Sequence, residues 1–266
     1  MSWVDYRMLL VFKRWMDSSM RSIRALRERL VLIVVIGLTF LAPAVSAQDV
    51  PTGPGQVPRF EPAPCPTLTG AGELAKASCG YLAVLENHNR PTGRTIGLMV
   101  AKYPARSPEK RADPVVYLAG GPGDIAPLEV NGLIAADFIR DRDILVVSQR
   151  GTLFSEPALT CAPIDDFNRE LLSLRFYSEA TERAHLAATE ACHRELAATG
   201  ADLSAYNSTE SAADFADLRK VLGIAVWNVY GTSYGSYLAQ TLIRDHPEGI
   251  RRVVLDRELA DHAHRL

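Results

Sequence analysis

Gly231-Thr232-Ser233-Tyr234-Gly235 lies where the apolar run VWNVY (226–230) gives way to SYLAQTLIRDH (236–246), an amphipathic stretch of helical period. A serine at the tip of a sharp strand-to-helix turn must accept strained backbone angles. Glycines on either side leave room where a Cβ would strike the neighbouring strand or helix. The turn also sets Ser233 at a helix N-terminus, whose free N–H groups and dipole favour the negative charge that develops during acyl transfer. Such a pattern arises about 0.1 times by chance at average glycine and serine usage. Its strand–turn–helix setting therefore carries the reading; the alternative is a glycine-rich connector with no chemistry. A second glycine-rich turn, Gly120-Gly121-Pro122-Gly123, follows the run PVVYLA (114–119). Glycine lets its backbone approach a substrate carbonyl closely. The expected oxyanion donors are Tyr234 N–H and Gly121 N–H, with Gly120 adjacent. A phosphate loop is disfavoured because no Gly-Lys-Ser/Thr follows.

A serine nucleophile also needs a base within hydrogen-bond reach and a group that orients the base. Asp256 ends the run RRVVLD (251–256), and His262 and His264 follow it closely. So short a tail rarely brings an acid and a base onto two loops converging on Ser233. His88 falls in a hairpin loop, His185 and His193 on a surface helix, and His246 at a helix C-terminus. None is expected to be catalytic, so the triad acid and base stay unassigned. No cofactor and no metal are expected.

The elements that must position Ser233 follow from periodicity. GYLAVLE (80–86) and RTIGLMVAK (94–102) alternate like strands and are separated by NHNRPTG, so they are expected to form a hairpin. PVVYLA and DILVVS (143–148) are short continuous apolar runs, the mark of strands buried on both faces. Helices are expected near 165–177, 179–198 and 209–222, the last capped by Asn207 or Ser208 and stopped by Gly223. Strands alternating with helices predict an α/β fold with a mainly parallel sheet, whose first two strands form an antiparallel edge. Residues 48–64, rich in Pro and Gly, read as an extended arm, 65–256 as the folded domain, and 257–266 as a divergent polar tail.

The chain has 266 residues, 47% of them hydrophobic, and a net charge of −2. That balance excludes a nucleic-acid footprint. Residues 1–47 hold seven basic and three acidic residues, leaving 22 basic and 28 acidic downstream. Arg21, Arg24, Arg27 and Arg29 precede the apolar run LVLIVVIGLTFLA (30–42), Pro43 and the small-residue stretch Val45-Ser46-Ala47. This is the pattern of an export signal ending at Ala47, with a start at Met20 giving a more usual leader length. The apolar run is short of the roughly 20 residues needed to span a bilayer. A periplasmic or extracellular location is expected, with no stable membrane span after cleavage. Cys65, Cys79, Cys161 and Cys192 all lie beyond Ala47. An even number in an oxidising compartment predicts disulfides, and Cys65–Cys79 with Cys161–Cys192 closes two local loops. Zinc is disfavoured without a C-x-x-C or paired histidines.

LAGGPG, QRGTLFSEPALTC (149–161), the DFADLRKVLG helix and WNVYGTSYGSYLAQTLIRDHPEGIRRVVLD together resemble exported α/β-hydrolases of the prolyl and tripeptidyl aminopeptidase group. The resemblance covers roughly residues 63–256 and implies an α/β-hydrolase fold and a peptidase that acts through a Ser233 acyl-enzyme. Its substrates would be peptides or small amides and esters. It also implies a triad in the order Ser, acid, His, with acid, base and lid all in sequence beyond the nucleophile half. The chain accordingly reads as truncated, and its own competence as impaired. Two departures stand out. Ser148 occupies a position where the family has Asp, which removes a local ion pair for Arg150. That arginine is expected to brace the loops around the nucleophile. After Asp256, RELADHAHRL replaces the family's lead-in to a cap domain. The competing functions are an esterase or lipase of the same fold and a non-catalytic fragment or binding protein.

Overall fold

The computed structural model describes residues 56–171 and 173–258. The expected leader, the first part of the arm, His262 and His264 lie outside the described residues.

Among the described residues eight strands form one mixed sheet: β1 (Arg59–Ala63), β2 (Ser78–Leu85), β3 (Thr95–Tyr103), β4 (Val115–Leu118), β5 (Ile144–Val147), β6 (Ser155–Glu156), β7 (Trp227–Thr232) and β8 (Ile250–Asp256). The order across the sheet is β1-β2-β3-β5-β4-β7-β8, with β6 paired to β3. β5, β4, β7 and β8 run parallel to one another. β1, β2 and β3 are antiparallel, and β3 meets β5 antiparallel. The α-helices are α1 (Ala126–Glu129), α2 (Asn131–Ala135), α3 (Ala162–Leu171), α4 (Glu179–Ala198), α5 (Ser208–Val221) and α6 (Tyr234–Asp245).

The central strands read as continuous apolar runs because both of their faces are covered. In β4, Val116 and Leu118 point into a core with Phe215 and Leu218 of α5 and Leu238 and Leu242 of α6. Val115 and Tyr117 point the other way, against Val130, Leu133 and Ile139. The same alternation splits β5 between the two cores, so neither strand could slip by one residue without exchanging its faces. At the start of the parallel strands Asp113 gathers Asn228 of β7, Arg251 of β8 and Arg142 before β5. Burial opposes its charge, but the hydrogen bonds from Asn228, Arg251 and Arg142 prevail and hold its carboxyl down to about 2.

Three expectations need correction. The arm is not free along its length: Arg59–Ala63 pairs with β2 from Ala83 to Cys79. Its prolines obscured an edge strand, the place where a sheet tolerates proline. Gly80 of β2 makes the room, since a Cβ there would stand 2.4 Å from the Phe60 ring. The antiparallel edge therefore has three strands where two were expected. The helix expected near 165–177 instead runs Ala162–Leu171. The expected 179–198 helix is found at Glu179–Ala198, where Ser178 caps it by accepting from Thr181 N–H. Two disulfides are present, Cys65–Cys79 and Cys161–Cys192, the pairings expected from loop closure. The second fastens the start of α3 to α4. No helix among the described residues is long and apolar enough to cross a membrane.

Candidate active site

β7 delivers the chain to Ser233 and α6 leaves from it. Ser233 has φ 52° and ψ −119°, a conformation that costs a non-glycine residue about 1–3 kcal/mol unless its surroundings hold it. Three contacts hold it. Ser233 N–H donates to Asp256 O at the end of β8 (2.9 Å), while Ser236 N–H and Ser236 Oγ both donate to Ser233 O at 2.9 and 2.6 Å. The flanking glycines are sterically required. A Cβ on Gly231 would stand 2.2 Å from Gly235 O, and one on Gly235 would stand 1.9 Å from Leu118 O. No backbone accommodates either.

The Gly120–Gly123 turn crosses directly over this elbow. A Cβ on Gly120 would come within 3.4 Å of Ser233 Cβ and 3.5 Å of Thr232 O. Gly121 has φ +99°, a left-handed conformation that glycine adopts without strain, and its bond to Pro122 is cis. Neither Tyr234 N–H nor Gly121 N–H has a partner among the described residues. Gly120 differs, because its N–H donates to Glu129 Oε2 at 3.1 Å. As an oxyanion donor, then, Gly120 is already occupied, and the expectation that it assists Gly121 is corrected. Gln149 braces the same turn from below, its Nε2 donating to Ala119 O at 3.2 Å.

Recesses open on both sides of the elbow. One of about 430 Å³ is lined by Tyr117, Glu129, Phe138, Tyr230, Thr232 and Asp256. Another of about 180 Å³ lies against Pro122, Gln149, Tyr206 and Tyr234. Asp256 does reach the larger recess, where its carboxylate accepts from Tyr230 OH at 3.0 Å. No described histidine joins it. Ser233 Oγ makes no hydrogen bond among the described residues.

Arg150 is buried behind the smaller recess. Its Nε and Nη2 donate to the two carboxylate oxygens of Asp214 at 2.8 and 2.7 Å. Nη1 donates to Glu86 O and Ala205 O at 2.5 and 2.6 Å. The side chain thus joins the end of β2, the segment before α5 and α5 itself. Ser148 leaves its Oγ buried without a partner among the described residues. Asp214, from the DFADLRK stretch of α5, supplies the ion pair that Ser148 cannot. Burial opposes the Arg150 charge, and Asp214, then Glu210, raise its pKa above the ordinary value.

His88 extends this network, a role its loop sequence did not indicate. Its Nδ1 lies 2.6 Å from Glu210 Oε2 and its Nε2 3.3 Å from Asp217 Oδ2, with Asp214 3.8 Å away. Burial lowers its pKa, but the hydrogen bond to Asp217, the field of Asp214 and the bond to Glu210 outweigh burial and the opposing Arg150 charge. The net shift is upward from 6.5. A raised histidine pKa stabilises the fold fully below the unfolded-state value, and that stabilisation is lost as pH climbs through the folded value. Urea midpoints are therefore expected to fall as the pH rises above 6.5 for the wild type, with a shallower fall for His88→Gln. Parallel profiles would show that His88 does not carry the linkage.

An α/β sheet that presents a strained serine between a strand and a helix, beside two open amides, has the architecture of an α/β-hydrolase. The sequence family described as the alpha/beta hydrolase fold matches residues 113–264, and the chain belongs to that family. Among curated proteins it is similar to a tripeptidyl aminopeptidase of Streptomyces lividans, 28% identical over 185 residues, or 67% of this chain and 34% of that protein. A serine protease of Mycobacterium tuberculosis is 26% identical over 186 residues, covering 68% of this chain and 35% of that one. A proline iminopeptidase of Neisseria gonorrhoeae is 28% identical over 142 residues, 53% of this chain and 31% of that one. The chain spans about a third of the length of these curated relatives.

Proposed function

We propose that this chain carries the nucleophile half of a serine hydrolase that removes residues from peptide N-termini. The observation behind the proposal is the elbow at Ser233, set against two unpartnered amides. Ser233 Oγ attacks the scissile carbonyl carbon while a base accepts its proton. The oxygen of the tetrahedral intermediate accepts hydrogen bonds from Tyr234 N–H and Gly121 N–H. Collapse expels the amine, which takes up the proton, and leaves an ester on Ser233 for water to hydrolyse. The names of the similar proteins support amides and peptides over esters, and the two disulfides support an exported location.

Chromogenic amides headed by a free proline, alanine or tripeptide test this reading against N-blocked amides and simple acyl esters. The expected result is preference for the free-amine substrates and loss of turnover in Ser233→Ala. Preference for esters would assign an esterase. Equal turnover by wild type and Ser233→Ala would remove Ser233 from the chemistry.

A further inference from the structure

We propose that Glu129 is a positioning residue for the oxyanion site, holding Gly120 N–H so that Gly121 N–H is the amide left to face the tetrahedral oxygen. The inference rests on Ser233 being the nucleophile. It goes further by stating how the second donor is selected.

The turn that passes over Ser233 offers two successive glycine amides, and glycine alone does not fix which one points at substrate. Glu129 does. Its Oε2 accepts from Gly120 N–H at 3.1 Å and from Tyr117 OH at 3.0 Å. Tyr117 belongs to β4, so the carboxyl is referenced to the strand that launches the turn. The phenol is held well above its ordinary pKa, by burial and then by Glu129, and therefore stays a proton donor. Burial, and then the neighbouring Asp124 carboxyl, raise the Glu129 pKa. Asp124 in turn packs over Gly120, its Oδ2 standing 3.0 Å from where a Gly120 Cβ would be. Glu129 thus grips the turn at Gly120, and Gly121 follows at φ +99° with its N–H left over. α1 is too short to position this carboxyl by its own helix geometry; the hydrogen bonds do so. An oxyanion donor works only where its N–H is already aimed, because reorientation during the reaction forfeits the stabilisation.

Glu129→Gln keeps a carbonyl oxygen for Gly120 and Tyr117; Glu129→Ala keeps neither bond. Two measurements test the proposal. The first is NMR hydrogen exchange of the Gly120 and Gly121 amides in the full chain. Gly120 is expected to exchange at least about tenfold more slowly than Gly121 in wild type and Glu129→Gln, and to lose that protection in Glu129→Ala. The second is steady-state kinetics on the amide found to turn over. Glu129→Ala is expected to lower kcat about 10- to 100-fold with KM within about twofold, and Glu129→Gln to stay within about threefold of wild type. Gly120 exchanging as fast as Gly121 in the wild type would overturn the proposal, as would a glutamine variant impaired as deeply as alanine. The exchange result decides the positioning role whether or not the chain turns over, whereas absence of any Ser233-dependent turnover counts against the hydrolase reading alone.

Discussion

Gly235→Ala is expected to remove the folded state almost entirely under conditions where the wild type is stable. A methyl group at this position would stand 1.9 Å from Leu118 O and 2.9 Å from Ala119 O, and both are backbone atoms with no rotamer to yield. Leu118 is paired in register with Gly231, so moving its carbonyl disturbs the central β4–β7 ladder. The alternative is to push α6 away from β4, which opens the core around Leu238 and Leu242. Overpacking of ordinary side chains costs about 1–3 kcal/mol; a backbone collision in the middle of a sheet should reach about 4 kcal/mol or more. Gly132→Ala is the control, because a Cβ there meets nothing within 4 Å. Its unfolding free energy should stay within about 0.5 kcal/mol of wild type. Comparable urea midpoints for the two variants would mean that the elbow is looser than described.

Arg150→Met is the second large effect, and its cause is electrostatic. The wild-type side chain is almost wholly inaccessible, at 1% exposed, and its fork satisfies both oxygens of Asp214, itself 3% exposed. Removing the guanidinium leaves a buried carboxylate without its cation and strips a donor from Glu86 O and Ala205 O. Breaking a buried pair from one side typically costs about 3–5 kcal/mol. Lysine should recover little of this, since a single ammonium cannot reproduce the two parallel bonds to Asp214. Arg150→Met combined with Asp214→Leu removes both charges and is expected to be less destabilised than Arg150→Met alone. Denaturant titrations of the wild type, Arg150→Met, Asp214→Leu and the double variant give the coupling. A single variant within about 1 kcal/mol of wild type would show that Arg150 does not brace the loops.

What the sequence reveals and what it hides divide along physical lines. Ser233, Gly231 and Gly235 were legible because a nucleophile elbow is local: its constraints act within one turn of backbone. β4 and β5 were legible because burial on both faces leaves an unbroken apolar run. β1 was hidden by Pro58 and Pro62, which an edge strand tolerates but which read as a linker. The partners of Arg150 and His88 were hidden for a different reason. Asp214, Glu210 and Asp217 sit on α5, 60 or more residues from Arg150 and more than 120 from His88, and only the packed sheet brings them together. Glu129 looked like an ordinary acidic residue in a short helix. Its role depends on where Gly120 N–H points, which no residue pattern encodes. The substitution of Ser148 for the expected Asp signalled only the loss of a local ion pair for Arg150.

The central claim is that Ser233 is a nucleophile held ready by its elbow and its two open amides. Labelling of the folded chain with a fluorophosphonate, read by intact mass and peptide mapping, tests it most directly. One adduct on Ser233, absent from Ser233→Ala while that variant keeps the wild-type urea midpoint, is the predicted result. A folded wild type that never takes the label, or takes it equally in Ser233→Ala, would contradict the account.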